Sequence, residues 1–222
     1  MKRFNDKVVI ITGADSDIGR TTALKFAKEE ANCVLVGINH DILEYIYADL
    51  PQDHTWINTG NHLTVTCDVN DSSQIEALIK YVLEKYSHID VMVNIDTKIG
   101  IHQSVIPELI KTKGNIVNVT TLTDIPSDWD IDAYNAEKDN FDNITKSLAL
   151  KNAASGVRVN AVAAGLVTTD TSPNPFVSHC SLGKTATPND VTSAIVFLAS
   201  DDAAMITGVN LPIDGGISAL NQ

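Results

Sequence analysis

The sequence predicts an α/β protein built on one doubly wound parallel sheet of about seven strands, with helices on both faces. Apolar runs of strand length alternate with helical patterns from end to end. The first apolar run, Lys7 to Thr12, passes through Gly13 into a turn and then a helix. The 222 residues, 44% hydrophobic and 20% charged, suffice for one core, and no linker, repeat or low-complexity tract divides them. Residues 1–222 are therefore expected to form a single domain.

Strands are expected near 7–12, 34–37, 63–67, 90–94, 114–120, 157–163 and 208–213, and helices near 18–30, 41–49, 72–86, 97–111, 132–153 and 188–200. The first strand is a continuous apolar run, as a strand buried on both faces requires. The third helix carries Ile75, Leu78, Ile79, Val82, Leu83 and Tyr86 on one face, with Asp71 as N-cap and Gln74 three residues on. The fourth carries Ile101, Val105, Ile106 and Leu109. Ile116, Val117 and Val119 form the next strand, with the hydroxyls of Thr120 and Thr121 at its end. The last helix opens with a Thr187 cap and a first-turn proline, Pro188, and buries Val191, Ala194, Ile195 and Leu198. Parallel strands need right-handed crossovers, so the sheet is doubly wound.

A net charge of −12 disfavours nucleic acid and anionic membrane surfaces as partners. No apolar run reaches 18 residues, and Met1 to Asp6 lead straight into the first strand without a signal-peptide pattern, so a cytoplasmic protein is expected. Cys33, Cys67 and Cys180 lack metal spacing, and the six histidines form no cluster, so no metal site is expected.

Tyr134 and Lys138 stand four residues apart, on one face of a helix. An ammonium beside a phenol stabilises the phenolate. Bringing a phenol from about 10 to about 7 needs roughly 4 kcal/mol of differential stabilisation. Thirteen residues earlier, Thr121 closes a buried strand.

Together with Thr12-Gly13-Ala14-Asp15-Ser16-Asp17-Ile18-Gly19, these residues resemble the short-chain dehydrogenase/reductase family. Val157 to Val162 with Gly165, and Ile206 to Gly208 with Asp214 to Gly216, look like its late strands. The resemblance covers essentially the whole chain and is closest to the acyl-carrier-protein reductases. It implies a Rossmann fold and a nicotinamide cofactor, NAD or NADP. It makes Tyr134 the general acid/base, Lys138 the group that lowers its pKa and holds the nicotinamide ribose, and Thr121 the hydroxyl that fixes the substrate oxygen. The cofactor would meet Gly13, Asp17, Ile18 and Gly19 at the first turn, then Ile38 after the second strand. Asp68 and Val69 would meet the adenine, and Asn94, Gly165, Val167 and Thr169 would also line the site.

The chain departs from the family pattern at several points. Asp17 replaces the middle glycine of Thr-Gly-x-x-x-Gly-x-Gly, and Asp15 adds a second carboxylate. A unit charge about 5 Å from a phosphate costs about 3 kcal/mol at an effective dielectric of 20. Alternatively, Asp17 points into solvent and caps the helix. The coenzyme-choosing position reads Val36-Gly37-Ile38-Asn39, without the usual acid or arginine. With two acids and no cation in the turn, NAD is favoured over NADP. The Asn-Asn-Ala-Gly motif is reduced to Val93-Asn94-Ile95-Asp96, and only 24 positions separate Asn94 from Asn118. This resembles an internal deletion. Asn94 matches the relay asparagine of the fourth helix if counted from Pro107, and the first Asn of the lost motif if counted from the strand. The segment 170–187, where the family keeps its substrate lid, is also short.

Asp124, Asp128, Asp130 and Asp132 would form an acidic lip favouring neutral carbonyls or alcohols over anionic acyl carriers; the alternative is a solvated loop. Two functions remain in view. One is a nicotinamide-dependent oxidoreductase interconverting a carbonyl and an alcohol. The other is a degenerate member acting as a binding or oligomerisation partner. A homodimer or homotetramer is expected by analogy, through the 132–153 helix and the last strand.

Overall fold

The computed structural model describes residues 2–51, 62–95, 100–121, 131–169, 177 and 180–219, with backbone alone at 121 and 131–141. Seven strands form one sheet: β1 (Val8–Thr12), β2 (Asn32–Gly37), β3 (Leu63–Thr66), β4 (Val91–Asn94), β5 (Asn115–Thr121), β6 (Arg158–Ala164) and β7 (Asn210–Ile213). Their order is β3-β2-β1-β4-β5-β6-β7, and every pairing is parallel. Six α-helices are described: α1 (Asp17–Lys28), α2 (His40–Asp49), α3 (Ser72–Tyr86), α4 (Gly100–Thr112), α5 (Ile131–Asn152) and α6 (Pro188–Ala199).

Strand side chains alternate between two cores. Val9 and Ile11 of β1 join Leu35, Val93, Val117 and Val162 under α1, α2 and α6, with Phe26, Leu43 and Ile195 among the helical contributions. Val8 and Ile10 join Val34, Met92, Ile116 and Val159 on the other face, against Leu78 of α3 and Val105 of α4. The inner strand β1 is accordingly fully buried, whereas β3 and β7 at the two ends of the sheet are only partly buried.

Helix ends answer to local chemistry. Asp71 accepts hydrogen bonds from Ser73 N and Gln74 N at the start of α3, as expected. The hydrogen bond from the Ser73 hydroxyl, with one from Gln74 and the backbone amides, holds the Asp71 carboxyl down at about 2. Thr187 and Asp190 form a reciprocal capping box at α6, with Pro188 in its first turn. Among the expected boundaries that move, two do so at left-handed residues. The first helix stops at Lys28 rather than 30, because Glu30 takes φ +69. The last strand starts at Asn210 rather than 208, because Gly208 takes φ +78.

Parallel pairing brings Thr12, Gly37, Thr66, Asn94, Thr121 and Ala164 to one edge of the sheet. The chain direction of winding reverses between β1 and β4, which opens a crevice beyond their carboxyl ends. No described helix is long and apolar enough to cross a membrane.

Candidate active site

The crevice begins at the turn after β1. Gly13 takes φ +61, a conformation glycine adopts without penalty. Ser16 has extended backbone and caps α1, its hydroxyl accepting from Gly19 N at 3.1 Å. Of the alternative in which Asp17 points into solvent and caps the helix, the structure keeps the exposure and gives the cap to Ser16: Asp17 is the exposed first residue of α1, an acid placed favourably toward the helix dipole. Ile18 is buried beneath the turn. A Cβ on Gly19 would lie 2.2 Å from Gly13 O and 2.6 Å from Ala14 Cα, so only glycine lets α1 seat this closely on the turn. The tight turn and the bare start of a 12-residue helix form a cradle of the kind that takes a pyrophosphate.

Asp15 leaves the turn for the end of β2. Its Oδ2 accepts from Ile38 N and Asn39 N, both at 3.0 Å. Ile38 is largely exposed beside it. Next along the edge, Asp68 Oδ1 accepts from the amide and the side chain of Asn70, and Asp68 N donates to Gln74 Oε1 at 2.9 Å. Gln74 therefore ties the start of α3 to Asp68, a positioning role that the sequence reading missed. Val69 is buried in the core under α3 and α4.

Asn94 is the last residue of β4, in register with Thr12 and Asn118. It is 1% exposed, and its Oδ1 accepts from Thr12 Oγ1 at 2.7 Å. Of the two registers open in the sequence, the structure has the strand one. Asn94 thus lies in the sheet and not on α4. Beneath it on β5, Asn118 Oδ1 accepts from buried His102 Nε2 of α4 at 2.7 Å.

Thr121 ends β5, in register with Ala164. Tyr134 and Lys138 stand in the first two turns of α5, on one face by their spacing of four. Asp124, Asp128 and Asp130 of the expected acidic lip lie outside the described residues, as do Asp96 and residues 170–176 of the shortened lid; Asp132 is described by its backbone in α5.

Gly165 follows β6 directly, and a Cβ there would lie 2.6 Å from Asp214 Cα and Cβ. Val167 bridges to Ala186 and packs against the first core, while Thr169 is exposed. Thr168 Oγ1 is bonded to Thr185 Oγ1 at 2.7 Å, which pins this segment to the stretch preceding α6. A cavity of about 540 Å³ is lined by this stretch at Leu182, Lys184 and Thr185 and by Pro212 and Ile213 of β7, among others. Among the described residues no group of three metal-ligating side chains occurs.

The donor set fits a dinucleotide. It comprises a glycine cradle at a helix start, a carboxylate at the second strand, another after the third, and small residues after the sixth. Residues 7–97 match the family model described as short chain dehydrogenase, and residues 96–218 match that described as Enoyl-(Acyl carrier protein) reductase. The chain is 32% identical to a meso-2,3-butanediol dehydrogenase of Serratia marcescens, covering 98% of this chain and 96% of the relative. It is 31% identical to a 3-oxoacyl-[acyl-carrier-protein] reductase of Thermotoga maritima, covering 97% and 99%. The first alignment is 249 positions long against a chain of 222, so segments of the relative have no counterpart here. Among solved structures, a 3-ketoacyl-(acyl-carrier-protein) reductase from Brucella melitensis complexed with NADH superposes with a TM-score of 0.81 at 27% identity, covering 96% of this chain and 99% of that one.

Proposed function

The chain belongs to the short-chain dehydrogenase/reductase family, and from that premise we propose that it interconverts a carbonyl and an alcohol with a nicotinamide dinucleotide, using Thr121, Tyr134 and Lys138. The observation that carries this reading is the common edge. Thr121 ends β5 at the same edge of the sheet as the glycine turn that follows β1, and Tyr134 and Lys138 fall in the first two turns of α5, the helix that follows β5 in the chain.

The nicotinamide, when bound, gives or takes the hydride. Tyr134 donates its phenolic proton to the carbonyl oxygen during reduction and recovers it from the alcohol during oxidation. Lys138, one turn on, stabilises the phenolate and so lowers the pKa of Tyr134. The Thr121 hydroxyl donates to the substrate oxygen and orients it. Gly13, Ile18, Gly19 and the exposed start of α1 at Asp17 hold the pyrophosphate end. Ile38, Asp68 and Val69 border the adenosine, and Gly165, Val167 and Thr169 the carboxamide. Asn94 serves this site by bracing Thr12 beneath the turn. NAD is favoured over NADP, because Arg20 of α1 donates to Asp49 at 2.6 Å and stacks over Tyr45.

The substrate class we favour is a small neutral ketone or secondary alcohol, in keeping with relatives named for butanediol and for 7alpha-hydroxysteroids. The reading of a fold that has lost its cofactor gains nothing from the relatives, which are named as dehydrogenases and reductases. One domain over 1–222, cytoplasmic residence and a homodimer or homotetramer through α5 and β7 complete the proposal.

Titration of the purified protein with NADH and with NADPH, followed by nicotinamide fluorescence, tests it. Micromolar binding of either coenzyme, with carbonyl reduction slowed at least about a hundredfold in Tyr134→Phe, is expected. No binding at millimolar coenzyme would sink the oxidoreductase reading.

A further inference from the structure

We propose that Asp15 is the coenzyme-selecting residue of this chain, reading the adenosine ribose from the glycine turn and shutting out a 2′-phosphate. The inference rests on the nicotinamide reading above and deepens it.

In dinucleotide-binding sheets of this type, an acid at the end of the second strand accepts from the ribose 2′-hydroxyl. Here that position is Gly37-Ile38-Asn39, which offers no acid from its own segment. The carboxylate is nevertheless present, delivered from 23 residues upstream. Asp15 Oδ2 lies 3.0 Å from both Ile38 N and Asn39 N. Two successive backbone amides at a strand end make a seat for an anion. Asp15 fills it, so the seat is taken before any ligand arrives.

Gly37 makes the arrangement possible. A Cβ there would lie 2.6 Å from Asp15 Cγ and Oδ1 and 2.8 Å from Oδ2. Its φ lies outside the left-handed region, so the backbone has no need of glycine at this position. The missing side chain is room for the carboxylate. Asp15 and Gly37 thus act as a pair: the acid has moved from the strand end to the turn, and the strand end has been cleared to receive it.

Two consequences follow for the ligand. The two amides hold Oδ2, which leaves the carboxylate edge oriented to accept from a ribose hydroxyl. A 2′-phosphate would meet a fixed negative charge and amides already engaged. Within about 5 Å that repulsion amounts to about a hundredfold in affinity at an effective dielectric of 20. Arg20 is held by Asp49 and Tyr45, as described, and gives no countercharge from α1.

The test measures dissociation constants, without turnover, for four probes. NADH and NADPH are followed by fluorescence. ADP-ribose and 2′-phospho-ADP-ribose, which lack the nicotinamide, are followed by calorimetry. The proteins are the parent chain, Asp15→Ser, Asp15→Asn and Gly37→Ala, each checked by thermal melting. Asp15→Asn keeps shape and an acceptor oxygen, so it guards against a folding failure of the serine variant. The parent should prefer the unphosphorylated member of each pair by about a hundredfold or more. Asp15→Ser and Asp15→Asn should narrow the preference to about tenfold or less, chiefly by tighter binding of the phosphorylated member. Gly37→Ala, which displaces the carboxylate without removing it, should move in the same direction. Equal binding of both members by the parent, or a preference unchanged in all folded variants, overturns the role of Asp15 and leaves the nicotinamide reading standing. Failure of the parent to bind any of the four removes the nicotinamide reading itself, and the inference with it.

Discussion

Thr12 Oγ1 donates to Asn94 Oδ1 at 2.7 Å, with both residues buried at the facing ends of β1 and β4. These two strands flank the point where the winding of the sheet reverses, so the bond clamps the floor of the crevice. Thr12→Val keeps the shape and removes the donor. It should lower the free energy of unfolding by about 1–2 kcal/mol and weaken NADH binding through the adjoining Gly13 turn. Urea unfolding and a coenzyme titration on one preparation measure both, and an unchanged pair of values would show that the clamp carries no load.

Gly19 faces backbone atoms, Gly13 O at 2.2 Å and Ala14 Cα at 2.6 Å from a Cβ built there. Neither can rotate away. Gly19→Ala should therefore push α1 off the turn, lower stability by about 1–3 kcal/mol and abolish coenzyme binding. The thermal melt and the NADH titration should fall together. A melt depressed with binding intact would separate helix seating from the cradle.

Tyr134→Phe should reduce turnover by about a hundredfold to ten-thousandfold while the fold is kept. Lys138→Met should act through the phenol. Without the ammonium the tyrosine reverts toward its ordinary pKa of about 10, so the alkaline limb of the oxidation profile should move to higher pH. A pH–rate profile that keeps its position in Lys138→Met would remove the lysine from that role.

His62 links a pH response to folding. Its Nδ1 accepts from Cys33 N at 3.1 Å, and its Nε2 donates to Pro51 O at 3.0 Å. Only the neutral ring can do both, and burial lowers its pKa from the ordinary imidazole value of 6.5. The unfolded chain therefore binds the proton first. Stability is full above 6.5 and declines as pH falls below it. Between about pH 7.5 and about pH 5.5 the parent should lose stability, and His62→Gln should lose less. Urea midpoints at the two pH values decide the matter; equal losses would place the titrating group elsewhere.

Much of the frame was legible because its causes are local. Asp71 and Thr187 cap α3 and α6 as their sequences require, and Val191, Ala194, Ile195 and Leu198 are all buried in α6. The start of α1 was not legible for an equally local reason. Asp15, Ser16 and Asp17 are all good capping residues, so composition could not rank them. The turn at Gly13, with its φ of +61, decides the order: Ser16 caps, Asp17 opens the helix, and Asp15 points toward β2. Asn94 was open between strand and helix until its pairing with Thr12 was seen.

By itself, the sequence determined the strands and helices, the glycine turn, and the spacing of Thr121, Tyr134 and Lys138, because each follows from residues close in the chain. Only the tertiary structure decided that Asp15 meets the amides of Ile38 and Asn39, and that Thr12 meets Asn94. Those partners are 23, 24 and 82 residues apart. Their meeting depends on which strands lie side by side and in what register. The strand order follows from packing two helical layers on one twisted sheet, a choice that no short stretch of side chains makes alone.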